Sequence, residues 1–167
     1  MCCLSEALLS MTRRHEGWHK ALPDGRARAY WDRRQWSIGF GTLAAYEGET
    51  ITRAEGLARL AVELAEAATA FERLFPGVAM AEARRDALIN MLFNLGAGGL
   101  MTFRNMVRAI RAADWKRAAA EALDSQWAGQ VGRRAEELAT ILRYGVYQSE
   151  AENRLHYGAE HGSAERD

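Results

Sequence analysis

The stretch TRAEGLARLAVELAEAATAFERLFPG, from Thr52 to Gly77, constrains the fold more than any other part of the sequence. Thr52 is followed three residues later by Glu55, which is the capping-box pattern that begins helices. Apolar residues then recur at helical spacing until Pro76 and Gly77 stop the pattern. We predict one helix over about 52–75, roughly 30 Å long at about 1.5 Å per residue. Such a helix suits a connector between a small N-terminal lobe and a second lobe.

The regions on either side of this helix differ in character. Before it, SEALLSMTRRHEG predicts a helix with Ser5 as N-cap and Gly17 at its end, and residues 27–43 predict a short antiparallel sheet of two or three strands. After it, AEARRDALINMLFNLG is apolar on most faces, which predicts a buried central helix that ends at Gly96. Three shorter amphipathic helices follow, and the polar end of the chain predicts a frayed tail from about residue 150.

These patterns predict an α+β fold in which the long helix joins a small sheet lobe to a mainly helical lobe. The expected bounds are one domain over 1–150, with a first lobe at about 12–51, the connecting helix at about 52–75 and a helical lobe at about 78–147, followed by a polar tail over 151–167.

Charge and cysteine usage exclude several classes of protein. The 22 Lys and Arg residues balance the 22 Asp and Glu residues, so no net charge favours binding to nucleic acid or to an anionic membrane. Cys2 and Cys3 are adjacent and have no third cysteine to pair with, so no disulfide framework is expected. We expect no metal or organic cofactor, because no His/Cys cluster has ligand spacing. Without a signal-peptide core or an apolar run of about 18 residues, we expect synthesis in a reducing cytosol and no general secretory export.

The segment HEGWHKALPDGRARAYWDRRQWSIGFGT, residues 15–42, carries the candidate chemistry. Glu16 stands at a predicted helix end, and Asp32 stands beside tryptophan in a strand-like stretch. A pair of carboxyl groups among aromatic residues is what glycoside hydrolysis requires, one as acid and one as base or nucleophile. The alternative is that Glu16 is a solvated helix-end residue and Asp32 a turn residue.

Three ordered blocks in this segment resemble the phage lysozymes of glycoside hydrolase family 24, the muramidases of the T-even coliphage type. The blocks are Glu16-Gly17, Tyr30-Trp31-Asp32 and Ser37-Ile38-Gly39-Phe40-Gly41. The similarity continues through ITRAEGLARL, RRDALINMLFNLGAGGLMTFRNMVRAI and WKRAAAEALDSQWAGQVGRRAEELATILRYG, and it covers roughly residues 5 to 147.

The resemblance implies a role for each matching residue in the first lobe. Glu16 would be the general acid, Asp32 the second carboxylate, and Ser37 would stand where the family has a threonine that helps to hold the attacking water. An insertion, about LPDGRAR, separates the two acids and makes Asp24 a competitor for the second role. We prefer Asp32, because Asp24 lies in a Pro-Asp-Gly turn where an aspartate needs no other function.

Four further residues match positions that bind substrate in the family. Arg134 matches an arginine near the catalytic glutamate, with Arg133 as a possible substitute, and Leu43 and Phe93 match residues that line the cleft. Asn94 takes the place of a neighbouring polar residue. For Arg134 the alternative is a surface arginine at a helix N-terminus, and for Phe93 it is core packing.

The departures from the family pattern lie around the hairpin. DRRQWSIGFG is shorter than the usual hairpin and lacks its glycine, which affects the reach of Ser37. The family histidine after the second glycine is Thr42 here, and its absence is expected to affect stability more than chemistry.

The resemblance implies a lysozyme-like fold that hydrolyses the β-1,4 bond between N-acetylmuramic acid and N-acetylglucosamine in peptidoglycan, without a cofactor. The expected partner is the glycan strand. We expect a monomer without stable membrane insertion, held in the host cytoplasm until a holin opens the inner membrane, and then acting in the periplasm or cell wall. Two alternatives remain: an inactive peptidoglycan-binding or virion structural domain of the same fold, and a related chitinase or chitosanase.

Overall fold

The computed structural model describes residues 4–32 and 35–147, and gives that part of the chain seven helices and five short strands. The helices are α1 (Glu6–Glu16), α2 (Arg53–Leu74), α3 (Glu82–Met101), α4 (Arg104–Arg111), α5 (Trp115–Leu123), α6 (Gln126–Val131) and α7 (Arg133–Tyr144). The strands are β1 (Ala27–Arg28), β2 (Tyr30–Asp32), β3 (Gln35–Ile38), β4 (Thr42–Leu43) and β5 (Thr50–Ile51). The predicted α+β class is confirmed.

The described residues form two compact units, divided between Ala70 and Phe71. The division falls within α2, the long helix predicted as the connector. The predicted tail from about residue 150 and the two cysteines lie outside the described residues. No helix among the described residues combines the length and apolar character that crossing a lipid bilayer requires.

The first two helices begin and end through the capping groups that the sequence predicts. The Ser5 hydroxyl accepts a hydrogen bond from the Leu8 N–H at 2.9 Å, and Gly17 ends α1 with a positive φ of 71°. The capping box of α2 is reciprocal: Thr52 N–H donates to Glu55 Oε2 at 2.7 Å, and Glu55 N–H donates to the Thr52 hydroxyl oxygen at 3.2 Å.

The first unit contains two small antiparallel sheets rather than the single sheet that was expected. Strands β2, β3 and β4 form one sheet, as predicted for residues 27–43. Strand β1 pairs instead with β5, so that Ala27 lies opposite Ile51. The sequence did not predict β5, because a strand of two residues is too short to show alternation.

Trp18 packs between two glycines that come from different parts of the first unit. A Cβ atom at Gly39, in the turn after β3, would lie 2.8 Å from the Trp18 ring, and a Cβ at Gly56 on α2 would lie 2.6 Å from it. The ring also contacts Phe40, with centroids 4.9 Å apart, and the His19 N–H donates to the Gly39 carbonyl at 2.9 Å. The residues just after α1 are therefore held against both the sheet and α2.

The second unit is built on α3, which is buried on most faces between Ala83 and Leu92. The regular helix ends at Gly96, as predicted. Gly96 has φ 70° and ψ 165°, which no residue in a regular helix adopts, but the chain resumes helical structure and continues to Met101. Helix α6 was not predicted as a separate element, because its six residues span less than two turns.

A long-range arginine contact completes the C-terminal end of α7. Arg84, from α3, donates from Nε to the Leu142 carbonyl at 2.8 Å and from Nη2 to the Arg143 carbonyl at 3.0 Å. Its guanidinium group lies 4.5 Å from the ring centroid of Trp115. These bonds satisfy carbonyl groups that have no partner within the helix.

The packing of Trp18 predicts opposite effects for two helical Gly→Ala substitutions. Gly56→Ala places a methyl group inside the Trp18 ring contact and should lower the free energy of unfolding by about 1–3 kcal/mol. Gly98→Ala, in α3, meets no atom within 4 Å and should raise it by about 0.5–1 kcal/mol through helix propensity. Urea titrations of both variants test the expectation. Equal effects from the two substitutions would contradict the packing argument.

Candidate active site

The register of the three-stranded sheet places the candidate residues of the first unit on one face. Tyr30 lies opposite Ser37, and Ser37 lies opposite Leu43 on the next strand. Asp32 is two residues beyond Tyr30, so it shares this face. The pair Trp31 and Trp36 occupies the other face, with ring centroids 5.5 Å apart.

Glu16 approaches this face from the end of α1. A Cβ atom at Gly41 would lie 3.7 Å from Glu16 Oε2, so the carboxyl group is next to the turn before β4. The pKa of the half-buried Tyr30 is raised by burial and then by the negative charges of Asp32 and Glu16. Both candidate acids are therefore close enough to Tyr30 for their charges to act on its phenol, although they come from different elements.

Ser37 has an unusual environment for a hydroxyl group. Its side chain is 1% exposed, and its Oγ has no hydrogen-bond partner among the described residues. A buried hydroxyl without a partner is unfavourable for stability. The fold gains no hydrogen bond from this group, which is compatible with a role toward a ligand.

The structure gives Asp24 a local role that Asp32 does not have. Asp24 Oδ1 accepts a hydrogen bond from the Arg26 N–H at 3.0 Å, which is the turn interaction expected for an aspartate at this position. Asp32 instead ends β2 with an exposed side chain. The choice of Asp32 as the second carboxylate stays a prediction.

Leu43 is held at its backbone by two side chains of α2, which the sequence analysis did not identify. Its N–H donates to Glu63 Oε1 at 3.4 Å, and its carbonyl accepts from Arg59 Nη1 at 3.2 Å. The Leu43 side chain is 60% exposed. Arg59 and Glu63 are four residues apart on one helix, which is the only signal of this arrangement in the sequence.

The surroundings of two glutamates near Leu43 shift their pKa values in opposite directions. Arg59 binds the buried Glu49 through both carboxylate oxygens, at 2.5 and 3.3 Å, and this contact lowers the pKa of Glu49. Burial raises the pKa of Glu63, and the nearby negative charges of Glu66 and Glu16 raise it further, against the hydrogen bond from Leu43. The cluster around Glu16 therefore includes a third carboxyl group.

The remaining predicted site residues lie in the second unit. Arg134 is 8% exposed and donates to Asn90 Oδ1 from Nε at 3.0 Å and to the Asn90 carbonyl from Nη2 at 3.2 Å, so the surface interpretation of Arg134 is wrong. Arg133, its possible substitute, is exposed. Asn94 Oδ1 accepts from Trp127 Nε1 at 2.7 Å, an interaction within the helical unit.

Phe93 is partly buried in α3, which leaves part of its ring accessible. A groove of about 580 Å³ also opens in the second unit, lined by Phe103, Trp127 and a set of mainly polar side chains. Aromatic and polar groups together suit a hydrophilic ligand with apolar faces. Across the described residues, no group of three or more His, Cys, Asp or Glu side chains is arranged to hold a metal ion.

Comparison with known proteins gives a family match over most of the chain. The family model described as phage lysozyme matches residues 16–140. The pre-baseplate central spike protein Gp5 of Enterobacteria phage T4 is 28% identical over 175 aligned positions, which cover 86% of this chain and 28% of that protein. A probable T4-type lysozyme 1 of Dictyostelium discoideum is 31% identical over 63 positions, 38% of this chain and 37% of that protein. The matches thus span well under half the length of these relatives.

The raised pKa of Glu63 predicts a pH-dependent gain in stability for Glu63→Gln. The folded protein holds this proton to a higher pH than the unfolded chain does, so wild-type stability falls as the pH rises from the ordinary glutamate pKa, about 4.3, through the raised value. The variant lacks this penalty, so its gain over wild type should be absent near pH 3 and present at pH 7. Thermal melts at both pH values measure it.

Glu47→Gln is the matched control, because Glu47 is an exposed carboxylate in the turn before β5. It should change the melting temperature little at either pH. A Glu63→Gln gain that is the same at pH 3 and pH 7 would show that charge burial is not its cause.

Proposed function

The chain belongs to the phage lysozyme family, and from this premise we propose that it hydrolyses the β-1,4 glycosidic bond between N-acetylmuramic acid and N-acetylglucosamine in bacterial peptidoglycan. The observation that carries the proposal is the placement of Asp32 on the sheet face that bears Ser37, with the Glu16 carboxyl group next to Gly41 in the turn before β4. Two carboxyl groups beside one face of a sheet match the requirement of glycoside hydrolysis for an acid and a second carboxylate.

Glu16 is the general acid of the proposed reaction. It donates its proton to the glycosidic oxygen as the bond to the sugar carbon breaks, so that the leaving sugar departs as a neutral alcohol. Its position at the end of α1 is fixed by the packing of Trp18 two residues later, which limits the movement of its backbone.

Asp32 acts on the sugar carbon, either by activating a water molecule or by attacking directly. In both cases the products are a reducing sugar and a free hydroxyl group, with one water consumed. Ser37 lies diagonally opposite Asp32 on the same face, and its hydroxyl has no hydrogen-bond partner among the described residues. We assign it the task of holding the attacking water.

Each unit carries proposed substrate-binding residues of its own. Leu43 offers an exposed apolar surface beside the two acids, and Phe93 offers part of an aromatic ring. Arg134 is buried and held by Asn90, so its guanidinium is preorganised, and we propose that it acts by positioning rather than by proton transfer. Asn94 links α3 to α6 by accepting the hydrogen bond from Trp127.

We propose that the enzyme lyses host cells, as a monomer that acts on glycan strands after a holin opens the inner membrane. The family description, phage lysozyme, supports this assignment. Cleared zones on a lawn of outer-membrane-permeabilised bacteria, together with new reducing ends in purified peptidoglycan, test the activity directly.

Glu16→Gln should fold as wild type does and lose nearly all activity, because glutamine has the same shape and cannot donate the proton. A positioned general acid contributes on the order of 10² to 10⁴ in rate. Release of reducing ends from peptidoglycan measures the loss, and a circular dichroism melt verifies the fold. Activity within tenfold of wild type would remove Glu16 from this role.

Asp32→Asn and Asp24→Asn form a matched pair that separates the two candidate second carboxylates. Asp32→Asn should lower kcat by several orders of magnitude, whereas Asp24→Asn keeps an oxygen that accepts the Arg26 N–H and should remain near wild type. The same reducing-end assay compares them. The reverse order of losses would assign the role to Asp24.

The match to a spike protein over 86% of the chain favours a second candidate, a virion structural domain of this fold without turnover. The reducing-end assay distinguishes the enzyme from the structural domain. A folded wild-type protein that binds peptidoglycan and releases no reducing ends would support the structural role.

A further inference from the structure

Strand β4 lies at the edge of its sheet, and its outward backbone groups need partners from outside the sheet. In the strand order β2-β3-β4, only one side of β4 is paired with another strand. On the paired side, the Ala44 N–H donates to the Trp36 carbonyl at 2.9 Å. An edge strand with open N–H and C=O groups is exposed to water and to unwanted strand pairing.

Arg59 and Glu63 supply these partners to Leu43. One donates to its carbonyl at 3.2 Å and the other accepts from its N–H at 3.4 Å, so two side chains of α2 take the place of a neighbouring strand. We call this pair the Leu43 clamp. Together with the Ala44 bond to Trp36 on the inner side, these two outer bonds fix the orientation of the peptide groups on both sides of Leu43.

The donor side of the clamp is itself held in place. Arg59 is anchored by both carboxylate oxygens of Glu49, and Glu49 also accepts the Ala45 N–H at 2.7 Å. The planar guanidinium group is therefore fixed before it meets the Leu43 carbonyl. Glu63 has no such anchor, and no lysine or arginine pairs with it among the described residues.

The clamp controls a side chain that the fold itself does not need. Leu43 is 60% exposed, so its isobutyl group contributes little to the core. It stands opposite Ser37 on the face that also carries Asp32. Because the peptide orientation at Leu43 sets the direction of its Cβ, the clamp sets where this apolar group meets a ligand on that face.

We propose that Arg59 and Glu63 are positioning residues, which orient Leu43 so that its side chain contacts the sugar bound beside Asp32. This inference rests on the proposed function. It predicts that the clamp acts on substrate affinity and leaves the chemical step nearly unchanged, because neither residue exchanges a proton with the sugar.

The test compares Glu63→Ala with Glu63→Gln in the Glu16→Gln background, where turnover does not interfere with binding. The probe is a soluble oligomer of alternating N-acetylglucosamine and N-acetylmuramic acid, titrated by calorimetry. Alanine removes the acceptor for the Leu43 N–H and should raise the Kd about 3- to 10-fold. Glutamine keeps an acceptor oxygen and should restore the Kd to within twofold of the background.

Amide hydrogen exchange gives a readout that is independent of the ligand. In Glu63→Ala the Leu43 N–H should exchange faster, while the Ala44 N–H, which is bonded to Trp36 on the other side of the strand, should keep its protection. Glu66→Ala is the helix control, because Glu66 is exposed on α2 and bonds to no part of β4. It should change neither the Kd nor the exchange at Leu43.

In the active enzyme, Arg59→Ala should raise KM by a similar factor and leave kcat within about twofold, because it removes ground-state and transition-state binding alike. A lower melting temperature with unchanged Kd and unchanged Leu43 exchange would reduce the pair to a structural role and overturn the inference. Faster Leu43 exchange without oligomer binding by the background protein would instead refute the proposed function, and with it the substrate role of the clamp.

Discussion

The packing of Trp18 between Gly39 and Gly56 is the contact on which the rest of the first unit depends. The ring approaches both backbones more closely than any side chain at those positions would permit. Since Trp18 comes two residues after Glu16, the same contact fixes where α1 ends relative to the turn after β3 and to α2. The position of the proposed general acid thus depends on the absence of side chains at Gly39 and Gly56 as much as on the Trp18 ring. The Trp18 contact also explains why the site is built from residues far apart in sequence. The ring holds the end of α1, the turn after β3 and the start of α2 together.

The electrostatics of the site follow from unequal pairing of its carboxyl groups. Glu49 has a bidentate arginine, which lowers its pKa, whereas burial and the negative charges of Glu66 and Glu16 raise the pKa of Glu63. Burial and neighbouring negative charge both favour the protonated form of Glu63.

Features that depend on local chemistry could be predicted from the sequence, whereas features that depend on tertiary contacts could not. Ser5, Thr52 and Glu55 cap their helices as expected, because a cap needs only its own few residues. Strand β5, helix α6 and the continuation of α3 beyond Gly96 were missed, since their few residues are ordered by neighbours that no short window contains. The candidate acids could be found through ordered blocks of family resemblance. Arg59 and Glu63 could not, because polar residues at helical spacing are equally typical of a solvated face. The burial of Arg134 is likewise invisible in a sequence.

The contact of Arg84 with the end of α7 can form only later in synthesis than the contacts that define the first unit. The contacts that define the first unit, from the Trp18 packing to the pairing of Arg59 with Glu49, need no residue beyond 70. Arg84 must wait for the Leu142 and Arg143 carbonyls, which emerge from the ribosome some sixty residues later. At about 5–20 residues per second this interval lasts several seconds, much longer than the folding of a small unit. The arginine therefore spends that time without its final partners, and the second unit closes only after α7 has been synthesised.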